Sequence, residues 1–174
     1  MRKLNLFLAA AIVVTFIAHA VLGGAALAGL GHIPQKIIAR ACLTFIVLHA
    51  ALSTVLLFRT LNARRLAGAG YLRGNGMFWA RRISGFLILL FVAFHLLVFM
   101  RGGEPEAFGS GRLGLQILLV ASVAIHLLTN IVPALTSFGV RGIKRAAPLI
   151  TIALSLLLLL FSAAFCIYFF HFAN

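Results

Sequence analysis

The chain has 174 residues, of which 63% are hydrophobic and only 10% are charged. A soluble domain carries about 25% charged residues, so this composition excludes an ordinary soluble fold. The formal net charge is +13, from 15 Lys and Arg against two acids, Glu104 and Glu106. In a soluble protein this charge would indicate nucleic-acid binding, but basic loops also fix the orientation of membrane proteins. We therefore expect a membrane protein with no nucleic-acid partner.

Five apolar runs are long enough to be transmembrane helices, because about 20 helical residues cross a 30 Å hydrocarbon core. Backbone polar groups in lipid must be satisfied internally, and the runs do not alternate, so helices are favoured over a barrel. The sequence predicts an all-α integral membrane bundle that forms a single transmembrane domain over residues 1–174. The predicted helices cover about residues 4–27, 37–58, 83–100, 113–138 and 148–172.

The first predicted helix follows Arg2 and Lys3, a start that is also typical of a secretory signal peptide. Because this helix carries His19, which has a counterpart later in the chain, we expect it to be retained. Residues 59–82 are rich in Arg and Gly. They are predicted to form a loop, with or without a short surface helix, between two halves of the chain. Pro133 is expected to kink the fourth helix, as membrane helices tolerate.

The distribution of Lys and Arg predicts the orientation of the helices. The N-terminus, the loop between the second and third helices and the loop between the fourth and fifth lie on one side. That side carries 11 of the 15 basic residues, and the other side carries Lys36, Arg40, Arg101 and Arg112. By the positive-inside rule the N-terminus is cytoplasmic and the C-terminus is outside. We expect a multi-pass protein of the inner (cytoplasmic) membrane.

Four histidines occupy matching positions in two successive helix pairs. His19 and His95 are 76 residues apart, His49 and His126 are 77 apart, and the spacing within each pair is 30 or 31. Side-chain identity between the halves is low, but the four matched residues indicate an internal repeat, a recurring device in membrane folds. The first and third helices are predicted to run in the same direction, and so are the second and fourth. The histidines therefore form two predicted levels about 10 Å apart at 1.5 Å per residue.

Ionisable residues inside a membrane are costly and indicate a functional site. Imidazole is a good ligand for haem iron, and filling both axial positions suits electron transfer. We expect His19 and His95 to bind the iron of one haem b, and His49 and His126 to bind the iron of a second. The alternative is that each histidine only bonds a neighbouring helix. That alternative is favoured for any single histidine, whereas four at matched positions favour haem.

Arginines lie at the cytoplasmic start of the third predicted helix. Arg81 and Arg82 either anchor the helix and set its topology, or neutralise haem propionates, which need cationic partners near the interface. Arg64 and Arg65 are further candidates for the second role.

The remaining histidines and the cysteines are expected to have other roles. His32, in a predicted loop, is expected to be solvated or interfacial. His171 ends the fifth helix on the outer side and is expected at the interface, with a quinone contact as the alternative. Cys42 and Cys166 lie in separate apolar runs and are expected to be small core residues.

The segments RRISGFLILLFVAFHL and HLLTNI resemble the membrane-anchor cytochrome b subunits of succinate dehydrogenases and fumarate reductases. Arg82-Ile83-Ser84-Gly85 is similar to the R-x-S-G helix opening of that family, beside quinone and haem propionates. The stretch from His126 to Ile131 resembles the family's haem-ligand pattern His-x-x-x-Gly-Ile, with Asn130 where Gly is usual. In the five-helix, two-haem branch, ligands on helices one and three hold one haem and ligands on two and four the other.

The resemblance implies a dihaem membrane-anchor subunit of a succinate:quinone oxidoreductase or fumarate reductase. It would carry electrons between a cytoplasmic iron–sulfur subunit and membrane quinone, with Arg81, Arg82 and Ser84 beside the cofactors. Flavin chemistry would belong to a separate flavoprotein subunit, and no catalytic residue is predicted in this chain. The chain departs from the family in its closer histidine spacing. It also has no acid within a predicted helix, which leaves only Glu104 and Glu106 for quinol protons.

Two alternatives remain open on the sequence. One is a stand-alone dihaem cytochrome b that resembles the b561 type and passes electrons to a small acceptor. The other is a haem-free small membrane transporter or assembly protein.

Overall fold

The structure is a computed structural model that describes residues 1–30, 36–66, 75–100 and 110–172. Over these residues it is all-helical, with α1 (Arg2–Leu27), α2 (Lys36–Leu66), α3 (Gly76–Met100), α4 (Ser110–Ser137) and α5 (Ile143–Phe172). The shortest helix has 25 residues, which at 1.5 Å per residue exceeds the hydrocarbon thickness of about 30 Å. All five helices are long and apolar enough to cross a membrane. The prediction of an all-α chain with five such helices is confirmed.

Three helix ends differ from the sequence prediction. α2 continues to Leu66 and α3 begins at Gly76, so most of the predicted loop over residues 59–82 is helical. α5 begins at Ile143, which places Pro148 inside the helix. The predicted ends of these helices were wrong because hydropathy shows only where a helix leaves the hydrocarbon, not where the helix itself ends. Arg and Ala are strong helix formers, and they continue the helices beyond that point.

The outer surfaces of the helices are apolar. Phe7, Val14, Ile37 and Leu149 are 64%, 69%, 82% and 71% exposed. An apolar surface of this size is unfavourable in water, whereas lipid tails solvate it well. This surface is consistent with a multi-pass membrane protein.

The chain divides into two compact units. The first comprises Met1–Ala26 with Gly31–Gly76, and the second comprises Leu27–Leu30 with Met77–Asn174. The first unit therefore contains nearly all of α1 and α2, with His19 and His49. The second contains α3, α4 and α5, with His95 and His126. The single transmembrane domain over residues 1–174 stays a prediction.

The turn between α4 and α5 is built on two glycines with positive φ. The N–H of Gly139 donates to the carbonyl of Thr136, and the N–H of Val140 donates to the carbonyl of Leu135. This pair of bonds is a Schellman cap, and Gly139 has the φ of 82° that the cap requires. The carbonyl of Gly142, with φ 74°, then accepts from the N–H of Arg145 and starts α5. α5 packs back against α4.

Replacing Gly139 with alanine should destabilise the α4–α5 turn. A side chain at positive φ costs roughly 1–2 kcal/mol, so thermal unfolding in detergent should shift to lower temperature. Gly114 provides the matched control because it lies inside α4 with nothing within 4 Å of an added Cβ. Gly114→Ala should raise stability by up to about 1 kcal/mol. Equal unfolding temperatures for the two variants would contradict the assignment of this cap.

Candidate functional site

His126 on α4 forms a hydrogen bond with α3. Its Nδ1 atom lies 3.2 Å from the hydroxyl oxygen of Ser84, a side chain that is only 2% exposed. The Ser84 hydroxyl donates its own proton to the carbonyl of Arg81 at 3.3 Å. With the Ser84 proton on that carbonyl, the hydroxyl accepts from Nδ1 of His126, and Nε2 is then the unprotonated nitrogen.

The residue after Ser84 makes room for this imidazole ring. A Cβ added at Gly85 would lie 3.3 Å from Cε1 and 3.5 Å from Nδ1 of His126, so a larger side chain would displace the ring. The neighbouring Ser84 and Gly85 thus act on the same histidine, one as hydrogen-bond acceptor and one by its lack of a side chain. On α4, the side-chain amide of Asn130 donates to the backbone carbonyl of His126 at 2.7 Å.

His95 on α3 forms the shortest of the histidine hydrogen bonds described here. Its Nδ1 lies 2.8 Å from Oε1 of Gln116 on α4, and Gln116 is fully buried. An amide oxygen is only an acceptor, so His95 donates from Nδ1 and again has Nε2 unprotonated. The ring packs against Phe99 at 4.9 Å and against Phe165 of α5 at 6.4 Å between centroids. Sequence reasoning missed Gln116, although a lone Gln among apolar residues near the start of the predicted fourth helix was the available signal.

His49 on α2 contacts α1 in a similar way. Its Nδ1 lies 3.3 Å from the backbone carbonyl of Asn5, and a carbonyl can only accept. Nε2 lies 3.4 Å from the Ser53 hydroxyl, while the Asn5 amide donates to that hydroxyl at 3.2 Å. The cluster of Asn5, Ser53 and His49 therefore joins the two helices of the first unit, and the sequence analysis identified only its histidine.

His19 on α1 is half-buried, and its Nδ1 atom is shielded from solvent. The hydrogen bond between the Asn5 side-chain amide and the Ser53 hydroxyl fixes the register of α1 against α2. In this register His49 lies level with the second turn of α1. Roughly 10 to 11 residues of helix, or about 16 Å, then separate His49 from His19 along the unit.

The second unit has the same separation between its histidines. The pairs Ser84–His126 and His95–Gln116 define an antiparallel register for α3 and α4. His126 is therefore level with Ser84, and roughly 11 residues, or about 16 Å, separate it from His95. The predicted separation of about 10 Å is too short. The prediction assumed that the apolar runs of neighbouring helices begin and end at the same depth. In the structure, side-chain contacts set the register of the helices.

Arg81 and Arg82 lie in the second turn of α3 and are half-buried. The guanidinium of Arg82 lies 5.2 Å from the ring centroid of Phe78, a cation–π distance. The Nε atoms of both arginines are buried and have no hydrogen-bond partner among the described residues. Buried guanidinium nitrogens in this state are suited to an anionic oxygen acceptor.

The structure separates the remaining predicted residues from these contacts. His171 is exposed at the end of α5, while Cys42 is buried, as expected for a core residue. His32, Glu104 and Glu106 lie outside the described residues. Among the described residues there is no group of three or more His, Cys, Asp or Glu side chains placed to hold a metal ion. The predicted pairs, His19 with His95 and His49 with His126, each join residues of different units and stay predictions.

No protein-family model, curated protein or solved structure matches this chain. The fold and the site therefore define a class and not a family. The class is a helical protein with five apolar helices able to cross a membrane. Within it, three of the four matched histidines form hydrogen bonds through Nδ1 with a neighbouring helix.

Replacing Gln116 with leucine should disturb His95 selectively. The change removes the acceptor for the Nδ1 proton, and a buried donor left unsatisfied costs about 1–3 kcal/mol. Nitrogen NMR of histidine-labelled protein in lipid should show the Nδ1–H form of His95 in the wild type and an altered signal in Gln116→Leu. Ser122 is the control, since it is buried on α4 and bonds only its own helix, through the Leu118 carbonyl. An unchanged His95 signal in Gln116→Leu would show that the contact does not set the tautomer.

Proposed function

We propose that this chain is a dihaem cytochrome b membrane-anchor subunit that carries electrons between a cytoplasmic iron–sulfur subunit and membrane quinone. The proposed complex is a succinate:quinone oxidoreductase or fumarate reductase. Its proposed ligands are His19 and His95 for one haem b, and His49 and His126 for the other. Succinate or fumarate chemistry would take place on a flavoprotein subunit.

The observation that carries this proposal is the use of Nδ1 as the hydrogen-bond donor. His49, His95 and His126 direct Nδ1 at the Asn5 carbonyl, the Gln116 amide and the Ser84 hydroxyl. Metal-ligating histidines almost always donate their second ring nitrogen in this way, because the bond fixes the tautomer and ring orientation and raises ligand basicity. In this tautomer Nε2 carries the lone pair that would bind iron. At His49 that atom would exchange its 3.4 Å contact with the Ser53 hydroxyl for the iron.

The separation of the histidines also supports two haem sites. Each unit holds its two histidines about 16 Å apart along the helix axes, so one pair of imidazoles cannot serve a single iron within a unit. The proposed ligation of two haems requires the same separation in both units.

Arg81 and Arg82 fit the propionate groups of a haem. They lie within one turn of Ser84, which orients His126, and their buried Nε atoms lack a partner among the described residues. Guanidinium binds carboxylate through strong, charge-assisted hydrogen bonds. They would hold the haem whose iron His126 binds, while the apolar helices exclude water from it.

The cofactor would supply reversible one-electron transfer at iron, with a potential tuned by its ligands and their hydrogen bonds. The residues of this chain have two tasks in that chemistry. The histidines would hold the iron from two helices, which would leave no position on it for a substrate. The basic side, with 11 of the 15 Lys and Arg, provides complementary charge for docking an iron–sulfur subunit.

Purified protein should show the visible spectrum of b-type haem and two haems per chain by pyridine haemochrome. His19→Ala or His95→Ala should lose one haem, and His49→Ala or His126→Ala should lose the other, because each change removes one axial ligand. Redox titration distinguishes which haem remains. The matched control is His171→Ala, which removes an exposed histidine and should retain both haems.

Three results would contradict the haem assignment. A colourless wild-type preparation would support a haem-free transporter or assembly protein. Loss of haem from His171→Ala or His32→Ala would overturn the ligand set. Loss of the same haem from His19→Ala and His49→Ala would overturn the pairing.

Mild purification through a tag on this chain should recover a flavoprotein and an iron–sulfur protein in equal amounts with it. Arg141 and Arg145 are exposed on the predicted cytoplasmic side. Replacing both with glutamine should reduce the recovery of the two partner proteins at moderate salt. The lost charges and the salt both weaken the electrostatic attraction between the subunits. Isolation of a haem-containing chain alone under these conditions would instead support a stand-alone cytochrome of the b561 type.

A further inference from the structure

A basic cavity lies between the start of α1 and the last turns of α2. Its volume is about 520 Å³, within the range of roughly 300–1,000 Å³ that small-molecule sites occupy. The cavity is lined by Arg2 from α1 and by Leu56, Arg59, Thr60, Ala63 and Arg64 from α2, together with Met1. The α2 residues recur at intervals of three and four, so they form a single stripe along one face of the helix.

The lining combines three guanidinium groups, and the described residues that line the cavity include no carboxylate. The whole chain has only two acids, Glu104 and Glu106. Three guanidinium groups around one cavity favour an anionic ligand. Phosphate oxygens accept paired hydrogen bonds from arginine and fit such a lining.

The position along the helices matches the headgroup region of a bilayer. α2 has 31 residues, or about 46 Å, which exceeds the hydrocarbon thickness of about 30 Å. Its apolar run ends at Phe58, so Arg59 and Arg64 lie in the part that projects past the hydrocarbon. Leu56 lies one turn nearer the hydrocarbon and forms the apolar end of the cavity.

We propose that this cavity binds the phosphate headgroup of an anionic phospholipid. Arg59, Arg64 and Arg2 hold the phosphate, the Thr60 hydroxyl donates to it, and Leu56 contacts the start of an acyl chain. Basic pockets between transmembrane helices on the cytoplasmic side commonly bind anionic headgroups. The proposal concerns the first unit alone and does not depend on haem.

Native mass spectrometry of the full chain tests this site with equal amounts of phosphatidylglycerol and phosphatidylcholine. Wild-type protein should retain one phosphatidylglycerol in preference to phosphatidylcholine. The double variant Arg59→Gln with Arg64→Gln should bind it roughly thirtyfold more weakly, given the contribution of each basic residue near a membrane surface. The matched control, Arg141→Gln with Arg145→Gln, removes the same charge outside the cavity and should change binding less than roughly threefold.

The outcomes separate this site from non-specific attraction. The proposal is overturned if phosphatidylglycerol binding falls equally in the two double variants, or if it falls in neither. Displacement of the lipid by millimolar inorganic phosphate assigns the cavity to a soluble anion and also overturns it. If the double variant fails to fold, as judged by thermal unfolding, the single Arg59→Gln variant should still show weakened binding, and wild-type binding there contradicts the proposal. Haem content, measured on the same samples, decides the proposed function separately.

Discussion

Hydrogen bonds from histidine to a neighbouring helix are the interactions on which each unit depends. Lipid-facing apolar side chains give transmembrane helices little reason to choose one register over another, because lipid tails solvate them equally well. The polar pairs supply that choice: Asn5 with Ser53 in the first unit, and Ser84 with His126 and Gln116 with His95 in the second. Sliding one helix past the other by a turn would break these bonds and leave polar atoms in hydrocarbon, at a cost of a few kcal/mol each.

The same bonds decide what chemistry the histidines offer. A histidine that bonds a neighbouring helix through Nδ1 has a defined tautomer, and its Nε2 is the basic nitrogen. A structural role and a ligand role therefore do not exclude each other at His49, His95 and His126. The hydrogen bond that stabilises the helix pair would also orient the histidine as an iron ligand, which is why the contacts support the haem proposal and do not compete with it.

The excess of positive charge is distributed over two kinds of environment. Arg81 and Arg82 are half-buried beside the Ser84–His126 contact, with buried Nε atoms that lack a partner among the described residues. Arg59 and Arg64 lie instead along an open cavity at the end of α2. The chain has only two acids. The two proposals would bring anions from outside the chain to these arginines, a cofactor carboxylate in one case and a lipid phosphate in the other.

The sequence by itself determined the environment and number of the helices, because apolar runs of this length have only one stable arrangement in a bilayer. It also identified four histidines as the residues that need an explanation in hydrocarbon. Only the tertiary structure revealed Gln116 and Asn5 as their partners, extended α2 to Leu66, and placed the histidines of each unit about 16 Å apart along the axes. Hydropathy reports the surroundings of a segment, whereas hydrogen-bond partners depend on the rotation and register of one helix against another. Those are set by contacts between residues far apart in the chain, such as His95 and Gln116.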